Sequence, residues 1–205
     1  MYWRRHLLSL GWLVAACGTA TARDCPLTID NPCFYDRAEG YVWFGRHWDG
    51  STISVGQTVH LDCPTRIIGL ELQFQKFVGL LEGDPIRIGI MSEDATVRYA
   101  EVVCPMPAFE DWASAYFEIG AACPQLEPGE YLVGATTDVP RHGGLAYCRI
   151  GDSYPYGERR VSGNGLAGPW SAAQDPLDLR FHLYLEAPPV AVETVDWGRL
   201  RALYR

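Results

Sequence analysis

The feature that most constrains this chain is a repeated alternation of apolar and polar side chains over short segments. Apolar residues take every second position in the segments 70–74, 86–90, 115–119, 131–135 and 179–185. Because neighbouring residues of a strand point to opposite faces, each segment is predicted to be a strand that buries one face. Less regular segments predict further strands at 41–44, 57–62, 97–103 and 145–150.

Turn-forming residues separate these segments, and no long helical pattern lies between them. Glu82-Gly83-Asp84-Pro85 and Glu127-Pro128-Gly129 are two such turns, in which proline presets φ and glycine accepts a positive φ. About eight or nine short strands with this spacing predict an all-β fold, an antiparallel β-sandwich that spans residues 23–186.

Residues 1–22 have the three parts of a secretory signal peptide. Arg4 and Arg5 give a positive start, residues 7–16 form a short apolar stretch, and Ala20-Thr21-Ala22 is a cleavage pattern. The mature chain is therefore predicted to begin at Arg23. In an alternative interpretation, residues 14–17 resemble a lipobox, and Cys17 would be lipidated and retained.

The cysteine count agrees with export. Of 7 cysteines, those that remain after removal of residues 1–22 are Cys25, Cys33, Cys63, Cys104, Cys123 and Cys148. An even number suits three disulfides in an oxidising compartment, although sequence alone does not choose among the pairings. We expect Cys25–Cys33, Cys104–Cys123 and Cys63–Cys148. Without a Cys-x-x-Cys pair or a left-over thiol, neither a zinc site nor a catalytic cysteine is expected.

The charge of the chain excludes several classes of partner. The net charge is −8, and it becomes −10 once Arg4 and Arg5 are removed with the signal peptide. Nucleic acids and anionic membranes are poor partners for such a surface. No apolar run reaches the ~18 residues of a transmembrane helix, so no transmembrane segment is predicted.

Aromatic side chains in or near predicted loops are the candidate ligand-binding residues. Residues 151–170 are rich in glycine and tyrosine and lack alternation, which predicts a long structured loop. Flat rings suit the apolar face of a sugar or a protein partner. The candidates are Trp43, Trp48, Tyr154, Tyr156 and Trp170, with His182 and Tyr184 on the outer face of the last strand. The alternative is that Trp43 and Trp170 belong to the core and that the loop aromatics plug the end of the sandwich.

Two further classes of site have candidates in the sequence. A glycoside hydrolase or polysaccharide lyase needs two carboxylates in a cleft. The candidates exist only through the abundance of acids, and they are the outward-facing Glu71, Tyr116 beside Glu118, and His182 with Glu186. No Gly-x-Ser-x-Gly elbow or phosphate-binding loop is present. We therefore expect no catalysis and no cofactor. A structural calcium ion is a side possibility, with Asp30, Asp36 and Asp49 as oxygen ligands.

The C-terminal residues differ from the strands before them. Residues 187–193 contain Pro188-Pro189 and are predicted to be an extended linker. Residues 194–205 predict a short amphipathic helix with Trp197, Leu200 and Tyr204 on one face. A helix this short is marginal alone, so it would dock on its own domain or serve as a tail for sorting or envelope machinery.

Four segments carry a resemblance to a known family. They are 66–72 (RIIGLEL), 85–90 (PIRIGI), 126–133 (LEPGEYLV) and, after Trp170, 178–185 (DLRFHLYL). Their order over residues 57–186 resembles the jelly-roll modules of bacterial secreted proteins, including the choice-of-anchor group. The resemblance implies a non-catalytic extracellular jelly-roll module beside a C-terminal anchoring or sorting signal. Carbohydrate binding or adhesion is the function we expect; the alternative is a structural envelope component or sorted cargo.

Overall fold

The computed structural model describes residues 25–31, 40–75, 80–108, 113–140, 142–147, 154–174 and 177–187, with the backbone alone for 142–147. Several predictions lie outside these residues. They concern the signal peptide 1–22 with Cys17, the ligand Asp36, the linker after residue 187 and the tail 194–205, together with Cys33 and Cys148. Among the described residues, no helix is both long and apolar enough to cross a bilayer.

The described residues form twelve strands, more than the eight or nine predicted, and one 3₁₀ turn at Gly120–Ala122. The strands are β1 (Thr28–Asp30), β2 (Gly40–Arg46), β3 (Thr52–Leu61), β4 (Ile67–Gln75), β5 (Pro85–Ser92), β6 (Arg98–Pro105), β7 (Ala113–Glu118), β8 (Gly129–Thr136), β9 (His142–Tyr147), β10 (Arg159–Ser162), β11 (Ser171–Ala172) and β12 (Phe181–Leu185). Every segment predicted as a strand lies in or overlaps one of these elements. The predicted loop 151–170 contains β10, which is a correction.

The strands form two antiparallel sheets that share β3. In the first sheet, β4 pairs with β12 and β7, β12 pairs with β1, and β9 pairs with β4 and β2. In the second, β8 lies between β3 and β5, β5 pairs with β6, and β10 lies between β3 and β11. The start of β3 pairs with β2, so this strand continues from one sheet into the other.

The apolar core lies between the two sheets and is built from the alternating segments. The apolar residues of all five segments belong to one buried cluster: Leu70, Leu72, Phe74, Ile86, Ile88, Ile90, Ala115, Phe117, Ile119, Tyr131, Val133, Ala135, Leu179, Phe181, Leu183 and Leu185. The all-β prediction and the direction of these side chains are therefore confirmed. Burial of their apolar area is the main stabilising contribution to the fold.

A second, smaller apolar cluster covers the outer face of the second sheet. Gly56, Gly134 and Gly89 lie side by side on β3, β8 and β5. The side chains of Trp170 and Leu166 lie against these glycines, and a β carbon at residue 134 would fall only 2.8 Å from Trp170 Cη2. The glycines thus form a shallow groove that the Trp170 ring fills.

The disulfide pairing differs from the prediction. Cys25 is bonded to Cys63, with 5.8 Å between the two Cα atoms, so the expected pairs Cys25–Cys33 and Cys63–Cys148 are wrong. The cause is the strand order, because β1 pairs with β12. The Leu27 carbonyl accepts a hydrogen bond from the Leu185 N–H (2.8 Å), and this pairing brings Cys25 to the end of β3.

The expected bond between Cys104 and Cys123 is also absent, since both residues are free thiols. Cys104 Sγ lies 3.6 Å from the carbonyl oxygen of Glu118, and Cys123 Sγ lies 3.4 Å from that of Pro124. Burial raises the pKa of both thiols. They are therefore protonated, weakly nucleophilic thiols at neutral pH.

Candidate functional site

An open cleft of about 510 Å³ lies at the end of the sandwich where β3 finishes. Its walls come from β1, from the end of β3, from the start of β8 and from the chain just before β10. The residues that line it are Thr28, Ile29, Asp30, His60, Asp62, Glu130, Tyr154 and Tyr156. The Cys25–Cys63 disulfide joins the chain before β1 to the residue after Asp62, so it fixes two of these walls to each other.

Carboxylates and histidines form the polar part of the cleft. His60 and Glu130 face each other on paired strands, and His60 Nδ1 lies 2.6 Å from Glu130 Oε1. On the other side of the same ring, Nε2 lies 3.4 Å from Asp62 Oδ1. Asp30 Oδ1 contacts His182 Nδ1 at 2.9 Å. Each carboxylate is thus oriented by a histidine and still partly open to the cleft.

Tyr154 forms the inner wall of the cleft and is held by a buried polar network. Its backbone N–H donates to Asp178 Oδ2 (2.9 Å), and Gln57 Nε2 donates to Asp178 Oδ1 (2.8 Å). The Tyr154 ring packs edge-on against Phe181, with 5.2 Å between the centroids. Only 5% of Tyr154 is exposed. The network therefore fixes the ring with the core on one side and the cleft on the other.

The Tyr154 hydroxyl is a hydrogen-bond donor at the cleft. It accepts the backbone N–H of His60 at 3.2 Å, and among the described residues its own proton has no acceptor. Burial raises the pKa of Tyr154; the His60 hydrogen bond opposes this, and the carboxylates of Glu130 and Asp62 raise the pKa further. The phenol therefore keeps its proton at neutral pH, and a bound oxygen atom can accept it.

Tyr156 is an exposed ring at the mouth of the cleft. It is 66% exposed and stands edge-on to Tyr154, with 5.9 Å between the centroids. The next residue, Gly157, lies so close to β3 that a β carbon there would be 1.9 Å from the Thr58 carbonyl oxygen. The Thr58 N–H donates to the Glu158 carbonyl at 2.9 Å, and the Thr58 hydroxyl accepts the Glu158 N–H at 2.7 Å. These contacts hold the Tyr156 platform in place.

The other predicted aromatic candidates lie elsewhere. Trp48 is 93% exposed in the turn before β3, so the ten residues of that strand separate it from the cleft. Trp43 lies half-buried on the outer face of the first sheet, edge-on to Tyr41. Trp170 fills the glycine groove of the second sheet. The structure therefore brings Tyr154 and Tyr156 together and separates the three tryptophans.

His182 and Tyr184 point to the outer face of the first sheet, as predicted. The Tyr184 hydroxyl donates to Glu71 Oε2 at 2.9 Å, and its ring lies edge-on to Tyr116 at 5.4 Å. Tyr116 in turn lies over Gly69, where a β carbon would be 2.4 Å from the Tyr116 hydroxyl oxygen. This outer patch adjoins the cleft through the contact between His182 and Asp30.

The two described calcium candidates are engaged in other contacts. Asp30 pairs with His182. Asp49 Oδ1 accepts the backbone N–H of Ser51 (2.9 Å) and its hydroxyl (2.7 Å) within the turn before β3. In the described part of the chain, no group of three or more His, Cys, Asp and Glu side chains is arranged to hold a metal ion.

Three ionisable residues of the cleft were not predicted as site residues: His60, Asp62 and Glu130. His60 stands between Val59 and Leu61, which belong to the core, so an outward histidine next to an acid was the available signal. Their convergence with Tyr154 depends on long-range strand pairing, which no local pattern reveals.

Comparison with known proteins gives little similarity. No protein-family model matches this chain, and no curated protein matches it. Among solved structures, the chain is similar to part of the cysteine protease and lectin-like domains of Cwp84, a surface layer associated protein of Clostridium difficile, at 10% identity and a TM-score of 0.41. The match covers 67% of this chain and 33% of that chain, so this chain spans about a third of that structure's length.

Proposed function

We propose that this protein is an exported, non-catalytic module that binds carbohydrate in the cleft beside β1. The observation that supports the proposal is the pairing of an exposed ring with fixed polar groups. Tyr156 offers a flat apolar face, and the cleft beside it contains carboxylate acceptors and the Tyr154 hydroxyl donor. A sugar has an apolar ring face and a rim of hydroxyl groups, so this combination complements it.

The arrangement of the cleft suits binding with little rearrangement. The Tyr156 platform is tied to β3 through Gly157 and Thr58, and Tyr154 is fixed by Asp178. Groups that are already ordered lose little conformational freedom when a ligand arrives, which favours affinity. A cleft of about 510 Å³ is within the usual range for small-ligand sites.

Export and surface attachment are part of the same proposal. The Cys25–Cys63 disulfide supports an oxidising compartment, and the sequence of residues 1–22 supports secretion. The resemblance to the choice-of-anchor group over residues 57–186 supports a jelly-roll module that works at a cell surface. A polysaccharide or another cell-surface molecule would then be the partner.

The test is a glycan array probed with the full chain, exported and oxidised by the host cell. We expect a restricted set of glycans to bind, and we expect Tyr156→Ala to lower the affinity for that set at least about tenfold. Trp48→Ala is the matched control, because it removes another highly exposed aromatic ring, 93% exposed, from outside the cleft.

Two results would contradict the proposal. If Trp48→Ala abolished binding and Tyr156→Ala had no effect, the ligand site would lie at the other end of β3. If the bound glycans were cleaved during incubation with the wild-type protein, the non-catalytic part would be wrong. Reducing-end analysis of each bound glycan after overnight incubation measures this cleavage.

A further inference from the structure

We propose that the sugar bound in the cleft carries a protonated amine, as in a glucosamine oligosaccharide without N-acetyl groups. This inference rests on the proposed function and narrows its ligand class. Three observations support it: the acidic residues that line the cleft, the exposed aromatic ring of Tyr156 and the hydroxyl proton of Tyr154.

Apart from the histidine His60, the ionisable side chains that line the cleft are acids or tyrosines. Asp30, Asp62 and Glu130 supply three carboxylates, and no lysine or arginine is present among the described lining residues. The side chains of these acids are 38%, 69% and 39% exposed, respectively. Each can therefore meet a ligand while it keeps its histidine contact. A neutral sugar would leave this negative potential uncompensated, whereas an ammonium group would complement it.

The aromatic ring at the mouth favours the same ligand. Tyr156 is exposed on the cleft side of a fixed loop, and the negative face of a tyrosine ring attracts a cation within about 6 Å. In a 2-amino sugar the amine is attached directly to the pyranose ring. A sugar ring stacked on Tyr156 would therefore carry its positive charge within the cleft, where the carboxylates lie.

The Tyr154 hydroxyl gives the ligand a second requirement. Tyr154 is 5% exposed and lines the cleft, and the proton of its hydroxyl has no acceptor among the described residues. An ammonium group has no lone pair with which to accept this proton, but a ring or hydroxyl oxygen has one. The combination of an ammonium donor and oxygen acceptors in one small molecule is met by an amino sugar, and a simple alkyl amine lacks the acceptors.

The experiment compares three β-1,4-linked tetrasaccharides that differ only at carbon 2. They are the glucosamine, N-acetylglucosamine and glucose tetramers, titrated calorimetrically into the full oxidised chain at about pH 7. We expect the glucosamine tetramer to bind at least about tenfold more tightly than the other two, and we expect added salt to reduce this preference.

Variants locate the origin of the preference. Asp62→Asn keeps the shape of the side chain and removes one charge, so it should lower the affinity for the glucosamine tetramer several-fold and leave the glucose tetramer unchanged. Glu82→Gln removes the same charge from an exposed turn outside the cleft, and it should have no effect. Tyr156→Ala should weaken all three ligands.

The outcomes separate the two proposals. Equal affinity for the three tetramers, with loss of all binding in Tyr156→Ala, would overturn the amine inference and leave carbohydrate binding intact. Failure of all three tetramers, together with a glycan array on which nothing binds, would overturn both. If an oligolysine peptide bound and the glucosamine tetramer did not, the claim that the ligand is a sugar would be wrong, and only the preference for a cationic ligand would remain.

Discussion

The glycine groove under Trp170 makes a quantitative prediction about packing on the second sheet. In Gly134→Ala, the new β carbon would lie 2.8 Å from Trp170 Cη2, 3.1 Å from Trp170 Cζ2 and 3.3 Å from Leu166 Cδ2. Non-bonded carbons do not approach to 2.8 Å, so the indole must move. Overpacking of this kind costs about 1–3 kcal/mol.

The net effect is smaller, because alanine also restricts the unfolded chain. Gly134 lies in a regular strand, where alanine is compatible with the backbone, and this substitution alone contributes about 0.4–1 kcal/mol of stability. We therefore expect Gly134→Ala to destabilise the folded protein by about 1–2 kcal/mol. In a Trp170→Ala background both indole contacts disappear and only the 3.3 Å approach to Leu166 Cδ2 remains, so the same substitution should be close to neutral or slightly stabilising. The coupling energy between the two sites is then about 2 kcal/mol, within the range seen for residues in contact.

The assay is urea unfolding of the four proteins of this double-mutant cycle under non-reducing conditions. Each 1 kcal/mol corresponds to about 2–4 °C in Tm for a protein of this size, so thermal melting gives a second measurement. Gly163→Ala is the matched control, because a β carbon there meets nothing within 4 Å, and it should not destabilise the protein.

One result would refute this reasoning. If Gly134→Ala destabilises the protein equally with and without the Trp170 ring, the cost comes from the strand itself, and the indole does not fill the groove.

Three further predictions concern the disulfide, the Tyr156 loop and an acidic turn. Replacing both Cys25 and Cys63 with serine removes a link across 38 residues, which should cost about 4 kcal/mol in non-reducing urea unfolding; an unchanged midpoint would contradict this. Gly157→Ala would put a β carbon 1.9 Å from a β3 carbonyl oxygen, so calorimetry should show weaker glycan binding, and full affinity would mean that the loop is not pinned. The pKa of Asp94 is lowered to about 2, chiefly by its hydrogen bond from Ser92. Its ionised form therefore contributes fully to folding stability above pH 3.8, and this contribution is lost as the pH falls towards 2. The difference in urea midpoint between wild type and Asp94→Ala should shrink over that range.

The sequence predicted the core of the fold well, because core-facing positions follow a local rule. Leu70, Phe117 and Leu183 are buried where the period of two placed them. The rule failed on the outer face of the second sheet, because another segment of the chain covers that face. Gly89 and Gly134 point away from the core and are still buried, because residues 163–170 cross the outer face of that sheet. Glycine at an outward strand position was the available signal of such close approach.

The strands and links that were missed depend on contacts between distant parts of the chain. β1 is only three residues long and is stabilised by pairing with β12, so its own sequence gives little indication of a strand. The same pairing decides that Cys25 bonds to Cys63. A cysteine's partner is set by strand order, and strand order is not a local property of the sequence.

The candidate site was half predicted, for the same reason. Tyr154 and Tyr156 were recognised from the composition of their own segment, which needs no knowledge of the fold. Glu130 and His60 are 70 residues apart and meet only because β3 and β8 are neighbours. Exposed aromatic residues can thus be found in a sequence, whereas the polar groups that complete a site need the topology.

The position of β3 has a consequence for how this molecule opens. The strand has β8 along one edge and β10 along the other, and its first residues belong to the opposite sheet. Neither sheet can therefore unfold while the other stays intact, and the two should unfold as one cooperative unit. Native-state hydrogen exchange should register this in the amides of residues 55–59, which would exchange last and all at the rate of global unfolding.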